Sequence, residues 1–343
     1  MRNSCTYKIA GTKTFRLSSS KIFGKWGGNL QNIEKSMREI YIPDEGKIFV
    51  QVDQSGAEAL IVAYISEAGR FRQLFENNIK PHVYVALRLF KDVWPKKMYS
   101  QSLITSSDNF DIDAVINTPI TELKKNPLWK NIDAIIKDSD NWSLEERYYY
   151  LAKQTCHSGN YGITPPTFRM NVLEKSGGKI VISKEDAEFF ITTYQSLFPE
   201  IFEWHECVRR QVEKHKILYN LHGHPYIITQ PFILESAWKE LYAWVPQSTV
   251  GEITNIAYSN LQRYIWDAGV EWDLLANTHD SYLVQCPIGE ERKCALVMQE
   301  FMGQEFTSPV DGVKFRMKSE AQAGYNWAPA KKDKNMEGLK EII

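Results

Sequence analysis

The chain has 343 residues, a length that sets a prior of roughly two domains of ~150 residues each. Hydrophobic residues make up 43% and charged residues 24%, which excludes a disordered tail, a collagen and a low-complexity scaffold. Lys plus Arg number 41 and Asp plus Glu 42, for a formal net charge of -1; this excludes a histone-like basic protein but not an enzyme with a local basic groove.

Residues 14–32 are rich in Ser, Gly and Asn and read as a loop with at most a short strand. The turn signal Pro43-Asp44-Glu45-Gly46 precedes a β-branched run from Lys47 to Asp53, a buried strand ending at an aspartate. Residues 57–65 read as a helix. Residues 95–145 carry little pattern and read as an insertion with loose helices. Ser143-Leu144-Glu145-Glu146 has the form of a capping box opening a helix to about Gly159. Ser183, with Glu185 and Asp186 behind it, starts another helix to about Leu197, where Pro199 ends it. Residues 200–216 are amphipathic. Residues 217–230 read as a hairpin turning at His222-Gly223-His224-Pro225. A long helix starts near Glu235, and a strand pair surrounds Asn277 to Ser281. Strands therefore come early and late, with helices between them. The pattern predicts a sheet domain built from both ends of the chain with a helical domain inserted.

Cys5, Cys156, Cys207, Cys286 and Cys294 include no C-x-x-C pair and are odd in number. That argues against a disulfide scaffold and a structural zinc site, and for a reducing compartment. The longest apolar run, 59–65, is far short of the ~20 residues a membrane span needs. The N-terminus lacks the apolar centre of a signal peptide. The expectation is a soluble, unsecreted chain that does not engage a membrane.

Asp53 at the end of an apolar strand needs a partner or a metal, because an unpaired buried carboxylate is costly. Asp280 also has a strand context. Aspartates from two strands can share Mg²⁺ through hard oxygen ligands, and two such ions roughly 4 Å apart drive in-line phosphoryl transfer. A pair of strand-end aspartates with no ligand fits the sequence equally well. Lys153, His157 and Tyr161 recur every fourth residue, so they drift only ~40° per step along one helical stripe. A cation, an imidazole and a phenol in a row suit a triphosphate, a sugar and a base. Spacing alone also fits a solvated face with one core aromatic, and fits it better. His205, His215, His222 and His224 have no completing Cys or carboxylate pattern and read as surface or turn histidines.

Together these segments resemble the polymerase portion of family A DNA polymerases, the bacterial DNA polymerase I and phage replicase type. Thr14-Phe15-Arg16-Leu17-Ser18-Ser19 and Asn29-Leu30-Gln31-Asn32-Ile33 are similar to the family's TGRLSS…NLQNI segment. Asp53-Gln54-Ser55-Gly56-Ala57-Glu58 matches D-x-S-x-x-E, and Lys153 to Gly162 matches K-x₇-Y-G. Pro246-Gln247-Ser248-Thr249 is similar to P-M-Q-G-T with one residue fewer, and His279-Asp280-Ser281 to H-D-E except at its last residue. The resemblance implies an α+β fold: a palm (antiparallel sheet with flanking helices) from residues 1–77 and 237–343, and mostly helical fingers from 78–236.

It further implies DNA-directed addition of deoxynucleotides to a primer 3′-hydroxyl, in replication or repair, in the cytoplasm of a bacterial or phage-infected cell. Asp53 and Asp280 would bind two Mg²⁺ ions, and Lys153 would contact the triphosphate. Glu58 would be the steric gate against ribose, with His82 near the incoming phosphates. His157 would stand against the sugar, with Tyr161 and Gly162 at the base. Arg16, Asn29, Gln31, Gln247 and His279 would contact primer-template DNA, largely in the minor groove, where the pairs look alike. Four departures stand out. Tyr149 replaces an arginine four residues before Lys153, and Arg147 lies about 200° away round the helix. His157 replaces Phe or Tyr. Ser281 replaces a carboxylate, an ending shared with single-subunit RNA polymerases. The chain begins almost at the TxRLSS segment, without a thumb or an exonuclease domain. The expectation is a chain that binds DNA weakly and is a fragment, a split-gene product or one half of a two-chain enzyme, the last with an upstream thumb-bearing chain as partner. The rivals are a catalytically incomplete nucleic-acid-binding fragment and an RNA polymerase-like enzyme.

Overall fold

The strand that begins at Lys47 is the middle strand of the main sheet. The computed structural model describes residues 3–9, 11–22, 27–105, 110–331 and 334–343. Two short strands come first, β1 (Thr6–Lys8) and β2 (Ser18–Ser20), then 3-10 turns at Leu30–Asn32 and Lys35–Ile40. Strand β3 (Lys47–Gln54) leads into α1 (Ala57–Ile65), α2 (Arg70–Glu76), α3 (Pro81–Leu89) and α4 (Trp94–Ser100). Helices α5 (Ile112–Asn117), α6 (Ile120–Leu123) and α7 (Trp129–Asp138) precede 3-10 turns at Ser139–Asn141 and Leu144–Glu146. Next come α8 (Tyr148–Asn160), α9 (Pro165–Lys175), α10 (Lys184–Leu197) and α11 (Pro199–His215). The hairpin β4 (Ile217–Tyr219) and β5 (Pro225–Ile227) leads to the long α12 (Trp238–Ala268). The last elements are β6 (Asp273–Asn277), β7 (Ser281–Pro287), α13 (Glu291–Met302), β8 (Glu305–Thr307), β9 (Lys314–Arg316), β10 (Ser319–Gly324) and β11 (Lys340–Glu341).

The main sheet has the order β11-β10-β3-β7-β6 and is antiparallel at every pairing. Its strands come from both ends of the sequence and the helices lie between, so the chain is an α+β fold. Side chains alternate faces along a strand. Ile48, Val50 and Val52 of β3 enter the main apolar core with α1, α12 and α13, and that core continues through α3, α8, α10 and α11. Phe49 faces the other way, into a small cluster with Leu30, Ala276, Leu283, Trp327 and Leu339. Asp53 shares the parity of Phe49 and therefore emerges on the face away from the helices.

Several local expectations change. Ser143 makes no side-chain cap, because the chain enters a 3-10 turn and breaks at Arg147 before α8 begins. Glu146, the expected box partner, bonds Lys97 Nζ at 2.6 Å instead. The box does form at Ser183, whose Oγ accepts from Asp186 N at 2.9 Å. Pro199 does more than end α10: it stands at the first position of α11, where its missing N–H is not needed. Residues 95–145 hold short helices whose Leu123, Trp129, Ile132 and Ile136 are packed into the main core, so the segment is anchored rather than loose. His205 is buried, stacked on Tyr242 at 4.0 Å, with Nε2 2.8 Å from Asn160 O, so it is a core histidine. Among the described residues no helix is long and apolar enough to cross a membrane.

Helix α8 is held by α3 on one side and α10 on the other. Gly159 makes that second approach: a Cβ there would lie 2.2 Å from Cδ1 of Tyr194. Tyr194 is fully buried and its hydroxyl is 2.5 Å from Asn160 Oδ1, so the ring has nowhere to go. Gly159→Ala is expected to cost about 1–3 kcal/mol by overpacking, read as a lower denaturant midpoint with an unchanged m-value. An unchanged midpoint would mean that α8 and α10 do not pack this closely in solution.

Candidate active site

Asp53 and Asp280 come together through the pairing of β3 with β7. The register sets Asp53 opposite Ser281 on β7 and opposite Glu320 on β10. Residues directly opposite share a face, so the Asp53 carboxylate stands between a hydroxyl and a second carboxylate. Asp280 precedes β7 in a tight turn, and its carbonyl accepts from Gln54 N at 3.1 Å. The turn needs a positive φ of 73° at His279, rare for a residue with a side chain. Thr278 N and Asp280 N close it, on Ser281 O at 2.8 Å and Thr278 O at 3.0 Å.

Water reaches both carboxylates, yet protein crowds them. That crowding, with Asp280 and then Glu320 as like charges, pushes the pKa of Asp53 up to about 7. Asp280 is raised as well, by its surroundings first and by Glu58, against the pull of Arg16 and His279. Carboxylates directly opposite in a sheet cost roughly 0.2–1 kcal/mol. A divalent cation would offset that cost. The donors fit Mg²⁺, which takes one or two carboxylates and fills its remaining positions with water and phosphate oxygens. In keeping with so open a set, no three His, Cys, Asp or Glu side chains among the described residues form a ready-made metal cluster.

Glu58 is the junction of the site. It lies in the first turn of α1, which Gly56 opens in the left-handed region at φ 61°. One carboxylate oxygen accepts from Arg16 Nη2 at 2.5 Å and the other from the Tyr161 hydroxyl at 2.5 Å. Arg16 comes from the N-terminal segment, and Tyr161 stands just past the end of α8. Tyr161 is buried, and its pKa lies well above the usual value through burial and the Glu58 charge. Gly162 follows at φ 66°, and a Cβ there would press Tyr242 and His205 at 3.3 and 3.4 Å. Two constraints thus favour glycine.

The stripe on α8 holds together. His157 meets the Tyr161 ring edge-on at 5.3 Å. Lys153, one turn earlier, lies 3.3 Å from Asp140 Oδ2 and over the Tyr149 ring at 4.4 Å. His82, near the start of α3, meets the same Tyr149 ring edge-on at 6.0 Å. Burial, then Lys153, Lys80 and His157, push the pKa of His82 down to about 4, so it is neutral at pH 7. His157 is lowered too, by its surroundings and then by Lys175.

The expected DNA contacts divide. Gln247 lines a cavity of about 340 Å³ with Tyr161, Ile163, Tyr226, Trp244 and Lys239, where the Tyr226 and Trp244 rings are stacked. His279 has a buried Nδ1 without a hydrogen-bond partner. Gln31 is different. Its Oε1 accepts from Ser19 N at 2.8 Å and its Nε2 donates to Leu17 O at 2.9 Å, so both ends are used inside the chain. Asn29 Oδ1 accepts from Gln31 N at 3.1 Å and from Ser19 Oγ at 2.5 Å. In this conformation Gln31 braces the segment 17–19 with one hydrogen bond from each end of its amide, and Asn29 helps to fix the same turn.

The sequence profile of DNA polymerase family A matches residues 130–329, more than half of the chain. The chain belongs to DNA polymerase family A. It is 22% identical over 340 residues to a DNA polymerase I of Caldicellulosiruptor bescii, covering 95% of this chain and 32% of that protein. It is 22% identical over 310 residues to a DNA polymerase I of Borreliella burgdorferi, covering 87% of this chain and 28% of that one. The chain thus spans about a third of the length of these curated relatives. Its fold is similar to the POL domain of Pol1 from M. smegmatis, solved in complex with DNA primer-template and dNTP. The TM-score is 0.65 and the identity 20%, with 94% of this chain and 47% of that chain covered.

Two residues beside the predicted site residues escaped the sequence reading. Glu320 lies on a strand with no motif, and only the register with β3 reveals it. Asp140 lies in the 3-10 turn at Ser139–Asn141, before α8 begins, and no helical periodicity connects it to Lys153.

The raised pKa of Asp53 makes a prediction. A carboxyl with a raised folded pKa contributes stability below its unfolded value, 3.8, and loses it as pH rises through about 7. Without metal, Asp53→Asn is therefore expected to melt about 1–2 °C above the parent at pH 8, a small gap because water screens the site. The gap closes near pH 4. Mg²⁺ should raise the melting temperature of the parent and not of the variant; the reverse order would remove the case for a repelling carboxylate pair.

Proposed function

We propose that this chain carries the nucleotide-adding centre of a DNA-directed DNA polymerase. The observation that carries the reading is the pair of aspartates that the β3–β7 pairing brings together, Asp53 on β3 and Asp280 in the turn just before β7, beside a glutamate that ties Arg16 to Tyr161 of the fingers helix. Membership of family A supports it, as does the likeness to a fold solved with primer-template and dNTP. In this reading residues 1–77 and 237–343 are the palm and residues 78–236 the fingers.

Asp53 and Asp280 would hold two Mg²⁺ ions. When bound, Mg²⁺ supplies positive charge that acidifies a primer hydroxyl and neutralises a leaving pyrophosphate. The chain's own residues do the rest. Lys153 binds the triphosphate. His82 and His157, both neutral at pH 7, line its approach as hydrogen-bonding and stacking groups. Glu58 gates the sugar, its position fixed from two sides by Arg16 and Tyr161. Tyr161 closes the base end, and Gln247 and His279 face the primer-template. The partners are primer-template DNA and deoxynucleoside triphosphates, in a bacterial or phage-infected cytoplasm.

Primer extension by the purified chain with Mg²⁺ and four deoxynucleotides tests the reading. Asp280→Asn is expected to lower extension by at least about 10³-fold, and chelation of Mg²⁺ to abolish it. A folded chain that binds primer-template but does not extend it, alone or with a thumb-bearing chain, would be a binding fragment instead. Ser281 in place of a carboxylate keeps an RNA polymerase-like reading in view. Glu58→Ala is expected to raise ribonucleotide use relative to deoxynucleotide use by at least about tenfold. A parent chain that already prefers ribonucleotides would decide for the rival.

A further inference from the structure

Lys153 does not stand free. Asp140 Oδ2 lies 3.3 Å from its Nζ, and the two side chains are 35% and 39% exposed. The pair therefore sits on a surface that water and a ligand can reach. Asp140 belongs to the 3-10 turn at Ser139–Asn141, which is stapled in place. Ser139 is fully buried; its Oγ donates to Ile136 O at 2.6 Å and accepts from Tyr149 N at 3.0 Å. That second bond ties the turn to the first residues of α8. The carboxylate is thus delivered to the lysine by a fixed backbone rather than by chance contact of two long side chains.

The charge balance makes the contact matter. Tyr149 takes the ring side of Lys153 at 4.4 Å and brings no charge at neutral pH. His82 and His157 are both held toward the neutral form. Lys153 is then the fixed cation of the α8 stripe formed with His157 and Tyr161, and it already has an anion.

We propose that Asp140 is a built-in competitor for Lys153, an internal anion that an incoming triphosphate must displace, and that it thereby sets the nucleotide affinity of the site. The proposal rests on the reading of Lys153 as a triphosphate ligand. A half-exposed ion pair contributes little on its own. The triphosphate, however, must break that pair and then tolerate a carboxylate a few ångströms from its own charge. Both effects have the same sign.

The test is equilibrium binding of dTTP with Mg²⁺, and of inorganic triphosphate with Mg²⁺, to the full chain, followed by tryptophan fluorescence. The four proteins are the parent, Asp140→Asn, Lys153→Ala and the double variant. Asp140→Asn is expected to tighten both ligands by about three- to tenfold. Lys153→Ala should weaken both, and in that background Asp140→Asn should change binding by less than about twofold. Asp140→Ala serves as a second variant should the asparagine disturb the turn, with melting temperatures confirming that each protein is folded. If the parent binds dTTP and removal of the carboxylate leaves affinity unchanged or weaker, the proposal is overturned and the nucleotide reading stands. If no protein binds either ligand, the reading of Lys153 fails, and the proposal with it.

Discussion

The rest of the site is arranged round a repulsion that the backbone will not let relax. The β3–β7 register fixes Asp53 opposite Ser281, one residue from Asp280, and the β10 register fixes Glu320 on its other side. Val50 and Val52 lock β3 into the core on the opposite face, so the strand cannot slip by one residue without turning its whole apolar side to water. The carboxylates are therefore held together by apolar packing that has nothing to do with charge. A sheet that only needed stability would not place acids there. The raised pKa of Asp53 expresses this conflict.

Glu58 solves a second problem, that of bringing three distant segments to one point. Arg16, Glu58 and Tyr161 meet through two hydrogen bonds to one carboxylate. The N-terminal segment is also tied to α12, where Asn255 Nδ2 donates to Phe15 O at 2.7 Å and Trp244 Nε1 to Lys13 O at 2.8 Å. Gly251 allows that approach, since a Cβ there would lie 2.7 Å from Thr14 O. The end of α8, the start of α1 and the N-terminal segment thus share one anchor. A group that displaces Tyr161 from Glu58 also frees one hand of the residue proposed to gate the sugar.

How much of this was legible in the sequence depended on the range of the interaction. Strand β3, helix α1 and the Ser183 cap are written in neighbouring residues, and all three formed where composition and spacing placed them. The fourfold spacing of Lys153, His157 and Tyr161 also carried over, because a helix turns spacing directly into a face. Glu320 could not be read, since its relation to Asp53 exists only once two strands pair. The internal bonds of Gln31 were illegible for the same reason: an amide in a motif gives no sign that the backbone at Leu17 and Ser19 will bond both its ends. The Ser143 box failed because Lys97, far off in sequence, takes its glutamate. Motifs recorded which residues gather. They did not record which are already bound to one another.

That distinction bears most on the phosphate side of the site. Tyr149 stands where the family places an arginine, and it packs on Lys153 instead of adding charge. His82 and His157 are neutral at pH 7, and Asp140 balances Lys153. In the proposed reading a triphosphate therefore meets Lys153 already paired, with Lys80 and Lys175 as the further cations that act on His82 and His157. Asp53, Asp280 and Glu320, by contrast, concentrate negative charge at the sheet. A triphosphate entering without a cation would add its own negative charge to theirs. In the proposed reading a divalent cation held by Asp53 and Asp280 would offset that repulsion. In that reading the pairing of Lys153 with Asp140 and the crowding of the acids would both make nucleotide binding depend on the cation.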